Sequence, residues 1–193
     1  MTVKEEKKTL REEIRAKRKA IPTEVRARLS EKITAKLTCE SFFRTEEVTF
    51  LYASIPEEIQ LYGFMKFMLD IGRRIAVPYI SKDGGMLAAE VKSIADLTFD
   101  KYGILTVTEE KRRIILPEAL GLIITPGVAF TEKGERLGMG GGYYDDFLRK
   151  NKPPACRVAL AFDLQILDKI PTEDRDEKVD FIVTESRTIV ANK

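Results

Sequence analysis

The sequence predicts one α/β domain over residues 1–193: a three-layer, Rossmann-like open sheet, mainly parallel, with helices on both faces and a helical pair at the N-terminus. At 193 residues the chain is long for one domain and short for two. The apolar runs at 119–125 and 157–162 are typical of strands buried on both faces of a parallel sheet. Helical patterns separate the strands, and this alternation indicates a doubly wound sheet.

The remaining elements follow from apolar spacing and from turn residues. We expect helices over 3–20 and 24–37, with a break at Pro22 between them, and another helix that starts at Tyr143. Further strands are predicted at 48–53, 74–78, 86–91 and 178–184.

One face of the first helix is basic. It carries four cations at positions i, i+4, i+8 and i+11, namely Lys7, Arg11, Arg15 and Arg18. Such a ridge could contact a polyphosphate. A solvated charged face is the more common explanation for a run of this kind, and both interpretations stay open on the residues alone.

Two adjacent glutamates follow the strand predicted at 48–53. Glu57 and Glu58 lie in a short polar loop before an amphipathic stretch that holds Leu61 and Phe64. This loop lies at the carboxyl end of a strand, where open α/β sheets bind their ligands. The residue types alone favour a simpler interpretation, in which both glutamates are first-turn acids that complement a helix dipole.

Composition excludes several kinds of chemistry. Histidine is absent, which removes Ser-His-Asp and Cys-His catalysis and histidine metal ligands. Cys39 and Cys156 form no CxxC pattern, so neither a disulfide framework nor a zinc site is predicted. Catalysis would rest on carboxylates, lysine, arginine, tyrosine, backbone dipoles or a metal, and phosphoryl transfer is the best example of such chemistry.

Charge and hydropathy limit the classes of partner that the protein is expected to bind. The 33 basic and 31 acidic residues nearly balance, which argues against a dedicated nucleic-acid binder. The first residues are highly charged and lack the apolar core of a signal peptide, and no apolar run reaches the length of a membrane span. We therefore expect a cytoplasmic monomer that binds neither nucleic acid nor membrane.

A glycine-rich stretch is the main functional signal. Five of the twelve glycines fall between Gly134 and Gly142, directly before the helix start at Tyr143. Glycines beside a helix N-terminus can form an anion site, so we infer a phosphate-binding loop. It matches neither the P-loop nor the dinucleotide fingerprint. Arg136 would supply the fixed cation and Asp145 a Mg²⁺ ligand; the alternative is a wide surface turn.

Several segments of the chain carry a family resemblance. They are KKTLR at 7–11, PGVAF at 126–130, RLGMGGGYYDDFL at 136–148, ALAFDLQ at 159–165 and IPTEDRDEKVD at 170–180. Together they closely resemble the 5-formyltetrahydrofolate cyclo-ligase family, also called methenyltetrahydrofolate synthetases. The resemblance spans essentially the whole chain, and the run RLGxGGGYYD is highly specific.

The resemblance implies an ATP- and Mg²⁺-dependent ligase of one-carbon metabolism that forms carbon–nitrogen bonds. Members of the family convert 5-formyltetrahydrofolate to 5,10-methenyltetrahydrofolate and release ADP and phosphate. The formyl oxygen attacks the γ-phosphate, N10 attacks the carbon of the resulting imidate phosphate, and ring closure expels phosphate. A site without histidine suits this reaction, because the protein mainly aligns two reactants and neutralises charge.

The resemblance also implies three sets of site residues, with Arg136, Tyr143 and Lys8 contributing to catalysis. The ATP site would be lined by Lys7, Lys8, Thr9, Leu10, Arg11, Arg136, Leu137, Gly138, Met139, Gly140, Gly141, Gly142, Tyr143 and Tyr144. The folate site would be lined by Ala53, Glu58, Met139, Gly140, Gly141, Gly142 and Tyr143. The Mg²⁺ ligands would be Asp145 and Asp180.

The nucleotide half of the family pattern is matched better than the folate half. Leu61 stands where the family has a threonine, Thr106 and Val107 replace a Glu-Pro pair, and Arg175 replaces a histidine. The leading expectation is a cyclo-ligase. The alternatives are a divergent relative that uses ATP on another small substrate, and a non-catalytic binder of folate or, through the first helix, of RNA.

Overall fold

The computed structural model describes residues 2–44, 47–100, 103–151 and 155–191. No helix in this part of the chain is both long and apolar enough to cross a lipid bilayer. The helices and strands are α1 (Val3–Lys19), α2 (Thr23–Cys39), β1 (Val48–Phe50), α3 (Tyr62–Asp70), β2 (Ile75–Ile80), β3 (Met86–Val91), β4 (Leu97–Phe99), β5 (Leu105–Val107), β6 (Ile114–Ile115), β7 (Leu120–Thr125), β8 (Ala129–Phe130), β9 (Arg136–Leu137), α4 (Tyr143–Lys150), β10 (Cys156–Leu160), β11 (Phe181–Val183) and β12 (Thr188–Val190).

Eight strands form the central sheet, in the order β12-β11-β10-β7-β1-β2-β3-β6. The five strands from β11 to β2 are parallel. Antiparallel pairs extend the sheet at both edges, β11 with β12 on one side and β2 with β3 on the other. Strand β7 is buried along its whole length, as expected for a central strand covered on both faces. The predicted Rossmann-like, mainly parallel sheet is confirmed.

Alternate residues of β7 pack into two separate cores, so helices cover both faces of the sheet. Leu122 and Ile124 lie in the cluster that contains the buried residues of α2 and α3. Ile123 lies in the opposite cluster with Phe147 of α4. Each such side chain contributes about 1.5–3 kcal/mol by its burial. The two cores produce the predicted three layers.

Helix α1 packs on a small antiparallel hairpin of β8 and β9. Its residue Ile14 is fully buried against Val128 and Leu137. The helix begins with a capping box, in which Thr2 and Glu5 each hydrogen-bond the backbone N–H of the other. This hairpin therefore determines where the basic face of α1 lies.

The sequence-based boundaries differ from the structure mainly at short elements. The strand predicted at 48–53 ends at Phe50, because the residues after it turn into a loop. The hairpins β4–β5 and β8–β9 and the edge strand β12 were not predicted. Strands of two or three residues are too short to show an alternating pattern, and tertiary pairing alone defines them.

Candidate active site

Two loops leave the sheet where the strand order reverses. Strand β1 pairs with β2 on one side and with β7 on the other, so the connections after β1 and β7 diverge. Such a point leaves a crevice at the carboxyl ends of the strands. We call residues 51–61 the β1 loop. We call residues 138–142 the glycine loop, which the chain reaches from β7 through the β8–β9 hairpin.

The glycine loop leads directly into α4. Gly142 is the N-cap residue and has φ 73°, a left-handed conformation that favours glycine. No side chain among the described residues caps this helix end, so its first N–H groups remain available to an anion. Residues 139–143 are exposed along the loop. The loop therefore has the geometry of an anion site at a helix N-terminus.

Arg136 lies buried beneath this loop. Its Nη2 donates a hydrogen bond to Asp145 Oδ1 at 2.5 Å, and its guanidinium carbon lies 5.9 Å from the centre of the Tyr144 ring. A Cβ at Gly138 would lie 3.0 Å from Nη1, so glycine lets the backbone pass close to the cation. The Nε of Arg136 is buried and has no hydrogen-bond partner among the described residues. A fixed cation thus supports the loop and keeps an unused donor.

The basic face of α1 is docked on the protein. Lys7 is only 5% exposed, and its Nζ lies 2.9 Å from Glu173 Oε2 and 2.6 Å from Asp176 Oδ2. Arg11 Nε donates to the carbonyl oxygen of Gly138 at 2.7 Å. The interpretation of this ridge as a solvated face is therefore wrong. In this structure Lys7 is held by two carboxylates, while Arg11 contacts the glycine loop itself.

The C-terminal half of the same face contacts the β1 loop. Arg15 donates to Glu57 Oε1 from Nε at 3.1 Å and from Nη2 at 2.7 Å. Arg18 is 1% exposed; its Nη1 donates to Gly127 O at 3.1 Å, and its Nη2 lies 3.8 Å from Glu57 Oε1. Burial raises the pKa of Glu57, but the hydrogen bond and charge of Arg15 outweigh it, and the net pKa is lowered. Glu57 is a buried, ionised partner of α1.

Glu58 lies in a different environment from its neighbour. It is buried, and its Oε2 accepts a hydrogen bond from Ile55 N–H at 3.1 Å. Burial raises the pKa of Glu58 to about 7, against the lowering effects of that hydrogen bond and of the Arg18 charge. Burial, followed by the charge of Glu58, also raises the pKa of Tyr144, and the Tyr144 ring lies 6.4 Å from the ring of Phe50 at the end of β1.

The dipole interpretation of both glutamates is wrong. The next helix, α3, begins only at Tyr62, and neither glutamate lies in its first turn. The β1 loop is closed instead by Tyr52, whose hydroxyl donates to Ile59 O at 3.0 Å. The loop thus holds two buried carboxylates at the carboxyl end of β1.

The two aspartates expected to bind Mg²⁺ are connected indirectly, through Glu177 and Arg157. Asp145 Oδ1 accepts from the backbone N–H of Glu177 at 3.1 Å, in addition to its bond from Arg136. Asp180 Oδ2 accepts from Arg157 N–H at 2.9 Å, and Arg157 Nη1 also lies 3.0 Å from Glu177 Oε2. No group of three or more potential metal-binding side chains occurs in the described ranges. Two carboxylates suit Mg²⁺, which completes its shell with phosphate oxygens and water.

Some predicted nucleotide-site residues are not presented to the cleft by their side chains. Lys8 and Thr9 are exposed, and Lys8 Nζ lies 4.0 Å from Glu12. The Leu137 side chain is 2% exposed in the core under α1, and Leu10 packs against the same cluster. Contacts of Leu137 with a nucleotide would therefore have to come from its backbone.

The residues predicted to line the folate site, and the positions that depart from the family pattern, differ in their burial and contacts. Ala53 is 9% exposed at the start of the β1 loop, while Met139 and Tyr143 are about half exposed on the glycine loop. Leu61 is fully buried in the main core, and Thr106 Oγ1 donates to Pro78 O at 2.7 Å. The departure from the family pattern at Leu61 therefore fills the core.

Sequence reasoning missed two buried polar groups of this region. Arg18 was predicted only as a member of the basic ridge, yet it contacts Gly127 O and Glu57. Gln165 Nε2 donates to the carbonyl oxygens of Gly127 and Val128 at 2.9 and 3.0 Å. The helical spacing of Arg18 from Arg15 was the available signal for the first. Gln165 was marked only as the last residue of the family segment ALAFDLQ, with no role assigned to it.

Comparisons with known proteins agree with this geometry. Residues 3–185 match the model of the 5-formyltetrahydrofolate cyclo-ligase family. The mouse 5-formyltetrahydrofolate cyclo-ligase is 27% identical over 195 residues, covering 96% of each chain. The Escherichia coli K12 5-formyltetrahydrofolate cyclo-ligase is 26% identical over 181 residues, covering 90% of this chain and 97% of that protein.

Solved structures resemble the whole chain. An Aquifex aeolicus 5,10-methenyltetrahydrofolate synthetase superposes with a TM-score of 0.86 at 30% identity, over 97% of this chain and 93% of that one. A Mycoplasma pneumoniae 5,10-methenyltetrahydrofolate synthetase at 23% identity shares the fold, with a TM-score of 0.74 over 93% of this chain and 98% of that one. Because the family model matches nearly the entire length and the fold agrees, the chain belongs to the 5-formyltetrahydrofolate cyclo-ligase family.

Proposed function

We propose that the chain catalyses the ATP-dependent cyclisation of 5-formyltetrahydrofolate to 5,10-methenyltetrahydrofolate, with release of ADP and phosphate. The reaction would take place in the crevice between α1, the glycine loop and the β1 loop. One observation carries this proposal within a chain of this family. An anion site supported by Arg136 lies beside the loop that buries Glu58: the Tyr144 ring at the start of α4 lies 5.9 Å from the guanidinium carbon of Arg136 and 6.4 Å from the ring of Phe50 at the end of β1.

The glycine loop would bind the triphosphate. The N–H groups at the start of α4 and the helix dipole favour negative charge, and Arg11 and Arg136 add fixed cations on either side of Gly138. Lys7 would join them by exchanging its carboxylate partners for phosphate oxygens. Exposed Lys8 has the freedom to turn from Glu12 towards the same anion. Arg136, Tyr143 and Lys8 would neutralise and orient the transferring phosphoryl group.

Asp145 and Asp180 would hold Mg²⁺ together with oxygens of the bound nucleotide. Their carboxylate chemistry fits a hard cation that takes one or two protein ligands. When bound, the ion would neutralise charge on the phosphates. Because Asp145 also accepts from Arg136 and from Glu177 N–H, its position is fixed before any ligand arrives.

The β1 loop would bind the pterin end of the folate. Glu58 is buried, so hydrogen bonds from ligand N–H groups to its carboxylate would be made away from water and would be strong. Ala53 would leave room beside it, and Met139 and Tyr143 would cover the substrate from the glycine loop. This arrangement would place the formyl group between the carboxylate pocket and the phosphate site.

The reaction balances with these two half-sites alone. The formyl oxygen attacks the γ-phosphorus and ADP leaves. N10 then attacks the activated carbon, the carbon–oxygen bond to phosphate breaks, and the N10 proton passes to the departing phosphate as the conjugated product forms. The protein would contribute alignment of the two reactants, which is worth several kcal/mol, and stabilisation of charge at the phosphate.

The direct test is the near-ultraviolet absorbance of the methenyl product. Purified protein is mixed with 5-formyltetrahydrofolate, Mg²⁺ and ATP, and the reaction without ATP serves as the control. We expect an absorbance rise that requires ATP. Protein that binds ATP but gives no rise at any concentration would instead be a relative acting on a different substrate.

A further inference from the structure

Helix α1 contacts both half-sites through one face. Four cations share this face, and two of them, Arg11 and Arg15, contact one loop each. Arg11 donates to Gly138 O of the glycine loop at 2.7 Å. Arg15 makes two hydrogen bonds to Glu57 of the β1 loop, at 3.1 and 2.7 Å. One helix therefore connects the two loops.

The connection is short and stiff. Arg11 and Arg15 are one helical turn apart, about 6 Å along the axis. A helix moves as a rigid unit over this distance, so a force on the Arg11 end is felt at Arg15. Helix α1 is also held by Ile14, which is fully buried between these two residues. Any change in how the helix contacts Gly138 must alter how it contacts Glu57.

Glu57 can pass this change to the folate pocket. It adjoins Glu58 in the β1 loop, and the two carboxylates have separate partners, Arg15 for the first and Ile55 N–H for the second. The Glu57 side chain is 9% exposed, so its charge depends on cations from α1 for compensation. Moving Arg15 would therefore move Glu57 and the loop that carries Glu58.

We propose that Arg15 is a positioning residue whose ion pair with Glu57 couples nucleotide binding at the glycine loop to formylfolate binding at the β1 loop. The proposal rests on the proposed function, since it assigns ATP and folate to these two loops. Nucleotide that holds α1 on the glycine loop would raise the affinity for folate, and folate would raise the affinity for nucleotide by the same factor. Neither substrate needs to touch Arg15.

A purely structural ion pair makes a different prediction. The Arg15 side chain is 37% exposed but the Glu57 side chain is only 9% exposed, so loss of Arg15 would leave a buried charge less well compensated and would lower the melting temperature. With a purely structural role, loss of the pair would leave the effect of each substrate on the affinity of the other unchanged. Coupling between the two affinities therefore separates the two roles.

The test measures binding of 5-formyltetrahydrofolate by calorimetry, with and without a saturating, non-hydrolysable ATP analogue and Mg²⁺. The ratio of the two dissociation constants is the coupling factor. The variants are Arg15→Ala, Glu57→Gln and the conservative Arg15→Lys. Glu13→Gln is the matched control, because Lys17 Nζ and Glu13 Oε1 form an exposed pair of 2.7 Å on the same helix.

We expect a coupling factor of at least about 5 in the unmodified protein, within the usual range for linked sites. It should fall to near one in Arg15→Ala and Glu57→Gln, recover in part in Arg15→Lys, and stay unchanged in Glu13→Gln. Melting temperatures identify any variant that fails to fold, and Glu57→Gln keeps the shape of its side chain if Arg15→Ala is unstable.

Three results would overturn the proposal: no coupling in the unmodified protein, coupling that survives in both Arg15→Ala and Glu57→Gln, or coupling lost in only one of them. Each is distinguishable from failure of the proposed function. ATP-dependent formation of the methenyl product by the unmodified protein tests that function separately and does not require the two affinities to be linked.

Discussion

The two loops of the cleft differ in charge: one presents cations and backbone N–H groups, and the other holds buried carboxylates. The glycine loop is exposed along residues 139–142 and relies on backbone N–H groups and on Arg136 and Arg11. The β1 loop buries two carboxylates, and the pKa of one of them, Glu58, is raised to about 7. Binding by fixed dipoles and guanidinium groups is insensitive to pH near neutrality, whereas binding by a buried carboxylate is not. Changes in pH should therefore separate the two half-sites.

The largest effect should come from removing the cation of the glycine loop. We expect Arg136→Ala to lower kcat/KM for ATP by about 100- to 1,000-fold, the range typical of a lost charge-stabilising donor. Arg149→Ala is the control, because Arg149 lies on the same helix and contacts Asp146, Glu177 and the carbonyl oxygen of Arg175 rather than the glycine loop. Product absorbance against ATP concentration measures both. Equal rates for the two variants would contradict the assigned role.

The next effect concerns the buried carboxylate of Glu58 and is measured as the free energy of unfolding at different pH values. The pKa of Glu58 is about 7 in the folded chain, against an ordinary value of 4.5. Between these values the folded state binds more protons, so the free energy of unfolding falls as pH rises from 4.5 to 7, by up to about 3 kcal/mol. Below pH 4.5 the burial of Glu58 no longer affects the free energy of unfolding. Above pH 7 the free energy of unfolding stays lower by the full amount.

Glu58→Gln should remove this slope. Urea unfolding of the unmodified protein and the variant at several pH values gives the difference, and other carboxylates cancel in the comparison. We also expect the KM for 5-formyltetrahydrofolate to rise in the variant while the KM for ATP changes little. Parallel pH profiles of stability would show that Glu58 is not the group with the raised pKa.

A smaller effect concerns the metal. Asp145→Asn should raise the Mg²⁺ concentration needed for half-maximal activity by about 10-fold, because a ligand charge is lost. Asp146→Asn serves as the control, since Asp146 is the adjacent residue and pairs only outward with Arg149 among the described residues. A metal titration that is the same for both variants would leave Asp145 as a partner of Arg136 alone.

The smallest effect isolates backbone geometry. A Cβ at Gly142 would meet nothing within 4 Å, yet φ there is 73°. Gly142→Ala should therefore destabilise the fold by about 1–2 kcal/mol through strain alone. A Cβ at Gly63 also meets nothing within 4 Å, but Gly63 lies in α3 with an ordinary φ. Gly63→Ala should stabilise the fold by up to about 1 kcal/mol, and chemical denaturation of the two variants measures the contrast.

The difference between local signals and long-range contacts explains how much of the site could be predicted from the sequence. The glycine loop was predictable because its signal is local: a dense run of glycines ahead of a helix start. The parallel core was predictable because β7 is a continuous apolar run. The raised pKa of Glu58 and the docking of Lys7 were not, since each depends on distant parts of the chain. Lys7, for example, finds its carboxylates at Glu173 and Asp176, far along the sequence.

The burial of Glu58 also couples folate binding to the release of a proton. With no histidine in the chain, few groups besides the α-amino terminus titrate near neutrality. A ligand that donates N–H groups to this carboxylate binds the ionised form, so folate binding just below pH 7 must release a fraction of a proton to the buffer. Calorimetric heats would then depend on the buffer's own ionisation enthalpy, and the slope would report the charge state of one side chain.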